Sequence, residues 1–165
     1  MIQPRLIINL FDMMTIRPLK PDDKNEIIRL HKTLFFPEFS EDELKHEAAD
    51  MLRADPNYWM TIVAEEKPGK LCGYICGSIR QETPIIGRIK VGYVEAWYIE
   101  PDKQQQGIGT ALYQTLEQWF LQQGCDIAKS DTDLQNDASI NAHKRQGFAV
   151  SDRIVKFTKK LGDAH

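Results

Sequence analysis

Residues 94–119, VEAWYIEPDKQQQGIGTALYQTLEQW, restrict the fold of this chain more than any other stretch. An apolar run ends at Ile99, Pro101 stops it, and a long amphipathic pattern starts around Gly107 and Gly109. That order predicts strand, loop and helix, with both glycines at the helix entrance. Glycine there lets the backbone approach a ligand closely, and the first helical N–H groups have no partner within the helix. Amides and helix dipole together form an anion site, most often for phosphate. A plain tight turn would use the same residues, because short glycine patterns recur by chance.

The flanking sequence supplies the elements around that unit. Residues 16–19 read as a first strand. Pro21-Asp22-Asp23 opens a helix in which Ile27, Leu30 and Leu34 share a face. Ser40-x-x-Glu43 is a capping box ahead of Leu44, Ala48, Met51 and Leu52, which predicts a second helix. Residues 58–65 and 71–80 are β-rich around Lys67-Pro68-Gly69-Lys70, a hairpin pattern. Residues 81–90, with Pro84 and Gly87, read as a loop before a strand over 91–99. In a third helix over 107–123, Ile108, Leu112, Leu116, Trp119 and Phe120 face inward, Gln114, Gln118 and Gln122 outward, and Gly124 suits the C′ position. Residues 126–130 form a short strand, and Asn136 caps a last helix that ends before Gly147. Phe148 begins the last strands, which include residues 153–160. No repeat or linker interrupts 1–165, so one domain is expected, its sheet mixed and covered by helices on both faces. Residues 1–13 stand apart as an N-terminal extension, either an alternative start or an appended strand.

With 165 residues the chain can bury a proper core. A net charge of −3 without a basic block argues against nucleic acid or an anionic membrane as partner. Cys72, Cys76 and Cys125 are odd in number and lack C-x-x-C spacing, so buried free thiols are expected rather than a metal or disulfide site. No apolar run reaches spanning length, and residues 6–11 are too short for a signal core. A reducing cytoplasm fits this usage.

Gln104-Gln105-Gln106-Gly107-Ile108-Gly109 matches Q/R-x-x-G-x-G/A, and Asn136, Ala142, Gly147 and Phe148 follow at matching places. In these motifs the chain resembles the GCN5-related N-acetyltransferases (GNAT) over residues 15–161. The resemblance implies an α+β fold: a mixed, largely antiparallel twisted sheet with helices on both faces. It also implies acetyl-CoA as the donor and no metal. Trp97, Tyr98 and Ile99 would pair with the pantetheine arm and polarise the thioester carbonyl through main-chain groups. Gln104, Gln105, Gln106, Gly107, Ile108, Gly109 and Thr110 would wrap the pyrophosphate. Asn136 and His143 lie seven apart on one helix face and would bear on CoA. The family's usual tyrosine is replaced by His143, which could hydrogen-bond CoA, act as the acid or simply pack. Many relatives pair through their last strands, so a homodimer is a hypothesis.

A narrower pattern is SDTDLxN…S…H…GF followed by DRIVxF, over residues 130–157. It resembles the aminoglycoside 6′-N-acetyltransferase branch, as does Glu95 within VEAWYI. Residues 30–37 resemble that branch's L-R-K-x-L-W-P segment, with His31 for arginine and Phe35-Phe36 for tryptophan. The resemblance implies a primary-amine acceptor, an aminoglycoside or similar polycation, held by Glu95, Asp131, Asp152 and Phe35. Transfer would be direct, with Asp131 or Glu95 as base to neutralise the attacking ammonium. Glu95 could equally be an ion-pair partner of Arg80 or Arg88. Acetylation of a peptide or metabolite amine, and a non-catalytic acyl-CoA-binding module, are the rival readings. The acidic run Glu38, Glu41, Asp42, Glu43 and Glu47, on the helix that the resemblance places at the acceptor entrance, could steer a cation but reads mainly as a helix N-terminus rich in acids.

Overall fold

The computed structural model describes residues 7–8, 14–35, 37–83 and 87–159; most of residues 1–13, Pro84 and Lys160 lie outside the described residues. Two compact units emerge, Met1–Asp131 and Thr132–His165.

The first unit carries a six-stranded sheet in the order β1-β2-β3-β4-β5-β6. These strands are β1 (Ile7–Ile8), β2 (Thr15–Pro18), β3 (Trp59–Lys67), β4 (Lys70–Glu82), β5 (Ile89–Ile99) and β6 (Ile127–Ser130). Every neighbouring pair is antiparallel except β5–β6, which is parallel. Parallel neighbours need a crossover, and α3 (Ile108–Gln122) supplies it. Ile7 and Ile8 pair with Ile16 and Thr15, so part of the N-terminal extension is an appended strand. Residues 81–90 are less of a loop than expected: Gln81 pairs with Lys90 and Glu82 with Ile89, which carries the ladder into both ends of that segment.

Helices α1 (Lys24–Phe35) and α2 (Glu41–Arg53) pack on one face, where Ile27, Leu30, Ala48, Val63, Tyr74, Cys76 and Ala96 form a buried cluster. The capping box is present, with Ser40 accepting from the Glu43 amide and Glu43 from the Ser40 amide. Helix α3 covers the other face, and close packing there requires glycine. A Cβ at Gly92 would stand 2.3 Å from the Phe120 ring. Helix α3 ends as its sequence predicts: Gly124 has φ of 78°, its N–H reaches the Leu121 carbonyl, and the Cys125 N–H reaches Phe120. All three cysteines are buried and free.

In the second unit, α4 (Asp137–Arg145) starts at Asn136, whose side chain accepts from the Ser139 amide. It ends at Gly147 in the same Schellman arrangement, with φ of 90° and the Phe148 N–H on the His143 carbonyl. The strand expected over 153–160 is not formed in its described part, where residues 151–159 have no regular structure. Its apolar side chains find no ladder or cover in the isolated chain: Val155 is 73% and Phe157 92% exposed.

Candidate active site

One extra residue in β5 shapes the site. Cys76 pairs with Ala96 but Gly77 with Val94, so Glu95 is inserted as a β-bulge. Before the bulge, Gly92 faces Phe120 of α3. After it, Ala96 and Tyr98 join the α1–α2 core, while Trp97 and Ile99 approach Gly109 of α3. The bulge therefore places consecutive side chains, Glu95 and Ala96, on the α1–α2 face.

The ladder between β5 and β6 stops at Val94↔Ser130. Glu95 and Asp131 are the next residue on each limb of this fork. Over residues 96–99, β5 is paired with β4, and no strand pairs its other edge among the described residues.

The two carboxylates have different partners. Both Glu95 oxygens accept from Arg80 Nη2, at 2.7 and 2.8 Å, and Oε1 also accepts from the Ser78 hydroxyl. Arg80 rather than Arg88 is thus the ion-pair partner. Its guanidinium lies 3.5 Å from the Tyr93 ring centroid, and the Tyr93 hydroxyl donates to Asp131 Oδ2. Burial, and then Asp131, push the Tyr93 hydroxyl up to about 12, which keeps it a donor at neutral pH.

Past the fork, residues 104–110 turn into α3. Gly107 is its N-cap with φ of 81°, and Gln105 also has a left-handed φ of 60°. Alternating left-handed residues before a helix aim successive amides into one concavity. Gly107, as N-cap, makes no side-chain cap bond at this helix end. Gln104 Nε2 donates to the Ile99 carbonyl and Gln106 Nε2 to Asp102, both at 3.0 Å, so these glutamines brace the loop. Gly109 serves packing: a Cβ there would lie 2.9 Å from Ile99 Cδ1 and 3.4 Å from Trp97 Cζ2.

A cavity of about 400 Å³ opens among α1, α2 and strands β3 to β5. Phe35, Met51 and Trp59 give it apolar walls, and Glu47, Asp50 and Glu95 line it with carboxylates. Cys76 also lines it, its thiol pushed well above the ordinary range by burial and then by Glu95. His31 is 2% exposed and hydrogen-bonded at both nitrogens, Nδ1 to the Tyr74 hydroxyl and Nε2 to Glu47 Oε2, each at 2.7 Å. Of the residues expected at an acceptor, Phe35 and Glu95 line this cavity, whereas Asp131 is not among its lining residues and stands at the fork.

In the second unit, His143 Nδ1 bonds the Ser139 carbonyl at 2.8 Å, and its ring lies edge-on to Phe148 with centroids 5.2 Å apart. Asp152 is exposed in the irregular segment after α4.

The profile described as "Acetyltransferase (GNAT) family" matches residues 24–148. The chain belongs to the GNAT acetyltransferase family. Among similar proteins, the aminoglycoside N(6′)-acetyltransferase type 1 of Klebsiella aerogenes is 31% identical over 149 residues, covering 88% of this chain and 96% of that protein. The apo structure of an aminoglycoside antibiotic 6′-N-acetyltransferase from Acinetobacter haemolyticus superposes with a TM-score of 0.76 at 25% identity, covering 89% of this chain and 99% of that one. A third structure, AAC(6′)-Iy in complex with a bisubstrate analogue, CoA-S-monomethyl-acetylneamine, shares the fold with a TM-score of 0.78 at 24% identity, covering 91% and 100% of the two chains.

For a GNAT acetyltransferase, the fit of a CoA pyrophosphate can be tested at the α3 entrance. A Cβ at Gly107 would meet nothing within 4 Å. The concave loop is thus open beside a dipole-positive helix end, which suits a diphosphate. Two site features of this acetyltransferase go beyond the sequence expectation. Glu47 belongs to the acidic run expected mainly at a helix start, with cation steering as its alternative; it lies in the second turn of α2 and its carboxylate lines the cavity. Its place three residues after Leu44 and four before Met51 could have flagged a face shared with the core. Nothing in the order Val94-Glu95-Ala96-Trp97 signals a bulge.

Proposed function

We propose that this enzyme transfers the acetyl group of acetyl-CoA directly to a primary amine of an aminoglycoside or similar polycationic small molecule. One observation carries the acceptor class: a cavity with aromatic walls and carboxylate lining, beside the fork where β5 loses its second neighbour. Carboxylates suit ammonium groups, and aromatic walls suit sugar-like rings. The relatives named above are aminoglycoside acetyltransferases, which supports the same reading.

In this scheme the open edge of residues 96–99 holds the pantetheine arm, and amides of residues 104–110 hold the pyrophosphate. Asp131 takes the proton of the acceptor ammonium, directly or through water, and the neutral amine attacks the thioester carbonyl. The C–S bond then breaks, and the CoA thiolate takes up, directly or through water, the proton that the attacking nitrogen gives up as it becomes an amide. Main-chain donors along β5 stabilise the oxyanion; one such donor contributes about 3 kcal/mol in acyl transfer. Cys76, the thiol at the cavity, is held protonated, which favours direct attack over an acetyl-cysteine intermediate. Asn136 and His143 are assigned to CoA, and Asp152 to the acceptor, by the family's pattern.

Residues 1–165 act as one acetyltransferase domain in this proposal, and the exposed Ile154, Val155 and Phe157 are covered by a second copy of the chain. The buried free thiols suit a reducing cytoplasm. Thiol release from acetyl-CoA, measured with aminoglycosides, polyamines and peptides, tests the function. Efficient acetylation of peptides with no turnover of any aminoglycoside would overturn the acceptor, and no thiol release with any amine would leave only a binding module. Light scattering that finds monomer at all concentrations would sink the homodimer.

A further inference from the structure

The three carboxylates lining the cavity are not equivalent. Glu95 is paired with Arg80 at 2.7 Å, and Asp50 with Arg53 at 3.2 Å. Glu47, with 48% of its side chain exposed, pairs with no lysine or arginine among the described residues; its partner is the His31 ring. A half-exposed carboxylate beside apolar walls keeps a charge that a ligand can satisfy.

What holds Glu47 is unusual for a surface acid. A carboxylate only accepts, so in the neutral ring His31 carries its hydrogen on Nε2, and Nδ1 accepts from Tyr74. Tyr74 is fully buried, and burial raises its hydroxyl well above the ordinary value, so it remains a donor. The chain of bonds runs Tyr74 O–H to His31 Nδ1 and His31 Nε2–H to Glu47 Oε2. Packing against Phe35, with ring centroids 4.6 Å apart, fixes the imidazole further. Glu47 Oε1 has no hydrogen bond to protein among the described residues. Ordering a long acidic side chain costs conformational entropy, and two otherwise buried polar residues are committed to doing it here.

We infer that Glu47 is the specificity carboxylate of the acceptor cavity, held by the positioning pair His31 and Tyr74 to bind a second ammonium group of the acceptor. This deepens, and rests on, the polycationic-amine reading above. The reacting amine belongs at the fork beside Glu95 and Asp131. Glu47 is on α2, a different wall of the same cavity, so a molecule with one ammonium group cannot serve both places.

The test compares kanamycin with 6-amino-6-deoxyglucose, which carries a single ammonium, on the full-length enzyme with saturating acetyl-CoA. Glu47→Gln is expected to raise KM for kanamycin at least about tenfold more than for the monoamine, with the effect in KM rather than kcat. His31→Leu should raise KM for kanamycin in the same direction, and His31→Gln, whose amide can still donate to Glu47, should recover part of the loss. Equal effects on both acceptors, or none, would overturn the inference. A Glu47→Gln effect without a His31→Leu effect would overturn the positioning pair. If His31→Leu does not fold, Tyr74→Phe removes only the hydroxyl and carries that arm. Native protein that turns over no aminoglycoside would refute the acceptor reading itself. Calorimetry of kanamycin with native protein and Glu47→Gln then decides the inference separately: about tenfold weaker binding by the variant upholds it, and equal or absent binding overturns it.

Discussion

Glu95 and Asp131 stand one residue beyond the same paired position, yet their surroundings fit them for different tasks. Glu95 has both oxygens taken by Arg80 and Ser78, so an acceptor ammonium would enter by exchange with the guanidinium. Asp131 Oδ2 is steadied by a single neutral donor, Tyr93, which leaves the carboxylate lone pairs for a proton. Asp131→Asn is therefore expected to lower kcat/KM for a cationic amine at least about tenfold, with acetyl-CoA affinity nearly unchanged. If Asp131 is the base, the acidic limb of the rate–pH profile shifts or vanishes, and high pH restores rate by neutralising the amine. A KM that rises at every pH while kcat holds would instead make Asp131 an ammonium ligand. His143 illustrates the same logic. With Nδ1 bonded to the Ser139 carbonyl, the ring donates from Nε2 only as imidazolium, which narrows the conditions under which it could protonate a thiolate.

At the level of elements, the legible parts are those fixed by local chemistry. Ser40 with Glu43, Asn136, Gly124 and Gly147 are caps whose bonds involve neighbours within a few residues, and each forms as its sequence implies. Pro68-Gly69 closes the β3–β4 hairpin for the same reason, with Gly69 at φ of 76°. Parts set by distant partners were not legible. The bulge at Glu95 depends on two helices pressing on opposite faces of β5, and the ladder across residues 81–90 depends on its two halves meeting. Residues 151–159 hold the strand-favouring Ile154, Val155 and Phe157, but a strand needs a neighbour. Gly109 shows the limit within the motif itself: it reads as room for a ligand, and the space is taken by Ile99. Gly107 is the position where the anion loop can be tested without disturbing that packing. Gly107→Ala must hold φ of 81°, at a cost of roughly 1–2 kcal/mol, or let the loop relax. Acetyl-CoA binding by calorimetry is expected to weaken at least about tenfold, and unchanged affinity in a folded variant would refute the assignment.

Across the sheet unit as a whole, arginines tie its layers together. Arg17 on β2 bonds Glu65 on β3 at 2.9 Å and Asp23 before α1 at 2.7 and 2.8 Å. Arg29 on α1 reaches Glu100 and the Leu71 carbonyl, at 2.5 and 2.7 Å. The Arg17 hydrogen bond holds Glu65 down, from 4.5 to about 2. A carboxylate depressed in the folded state contributes stability that is complete above its unfolded value and disappears as pH falls through the folded one. This contribution from Glu65 should be lost between pH 4.5 and about 2. Urea unfolding of Arg17→Met is expected to show lower stability at pH 7 and a flatter decline over that acid range; a decline as steep as the native one would exclude Arg17 as the cause.

The inserted residue in β5 also governs which genetic changes the strand can accept. Loss of a single codon at position 95 would restore regular alternation without turning the strand over: with Val94 on the α3 side, Ala96 would take the next place on the α1–α2 side, and Trp97 and Ile99 would keep theirs toward α3. What the deletion removes is the local bend of the strand and the carboxylate at the cavity. Exchange of the codon keeps the bend and gives up only contacts that are partly solvated, since the Arg80 side chain is 45% exposed. Glu95→Ala is accordingly expected to melt cooperatively with a loss of about 1 kcal/mol, and the single-residue deletion to melt cooperatively as well; loss of the transition in the deletion alone would show that the ladder needs the extra residue. At this position the facing of the strand survives a change in the count of residues, and the shape of the fork does not.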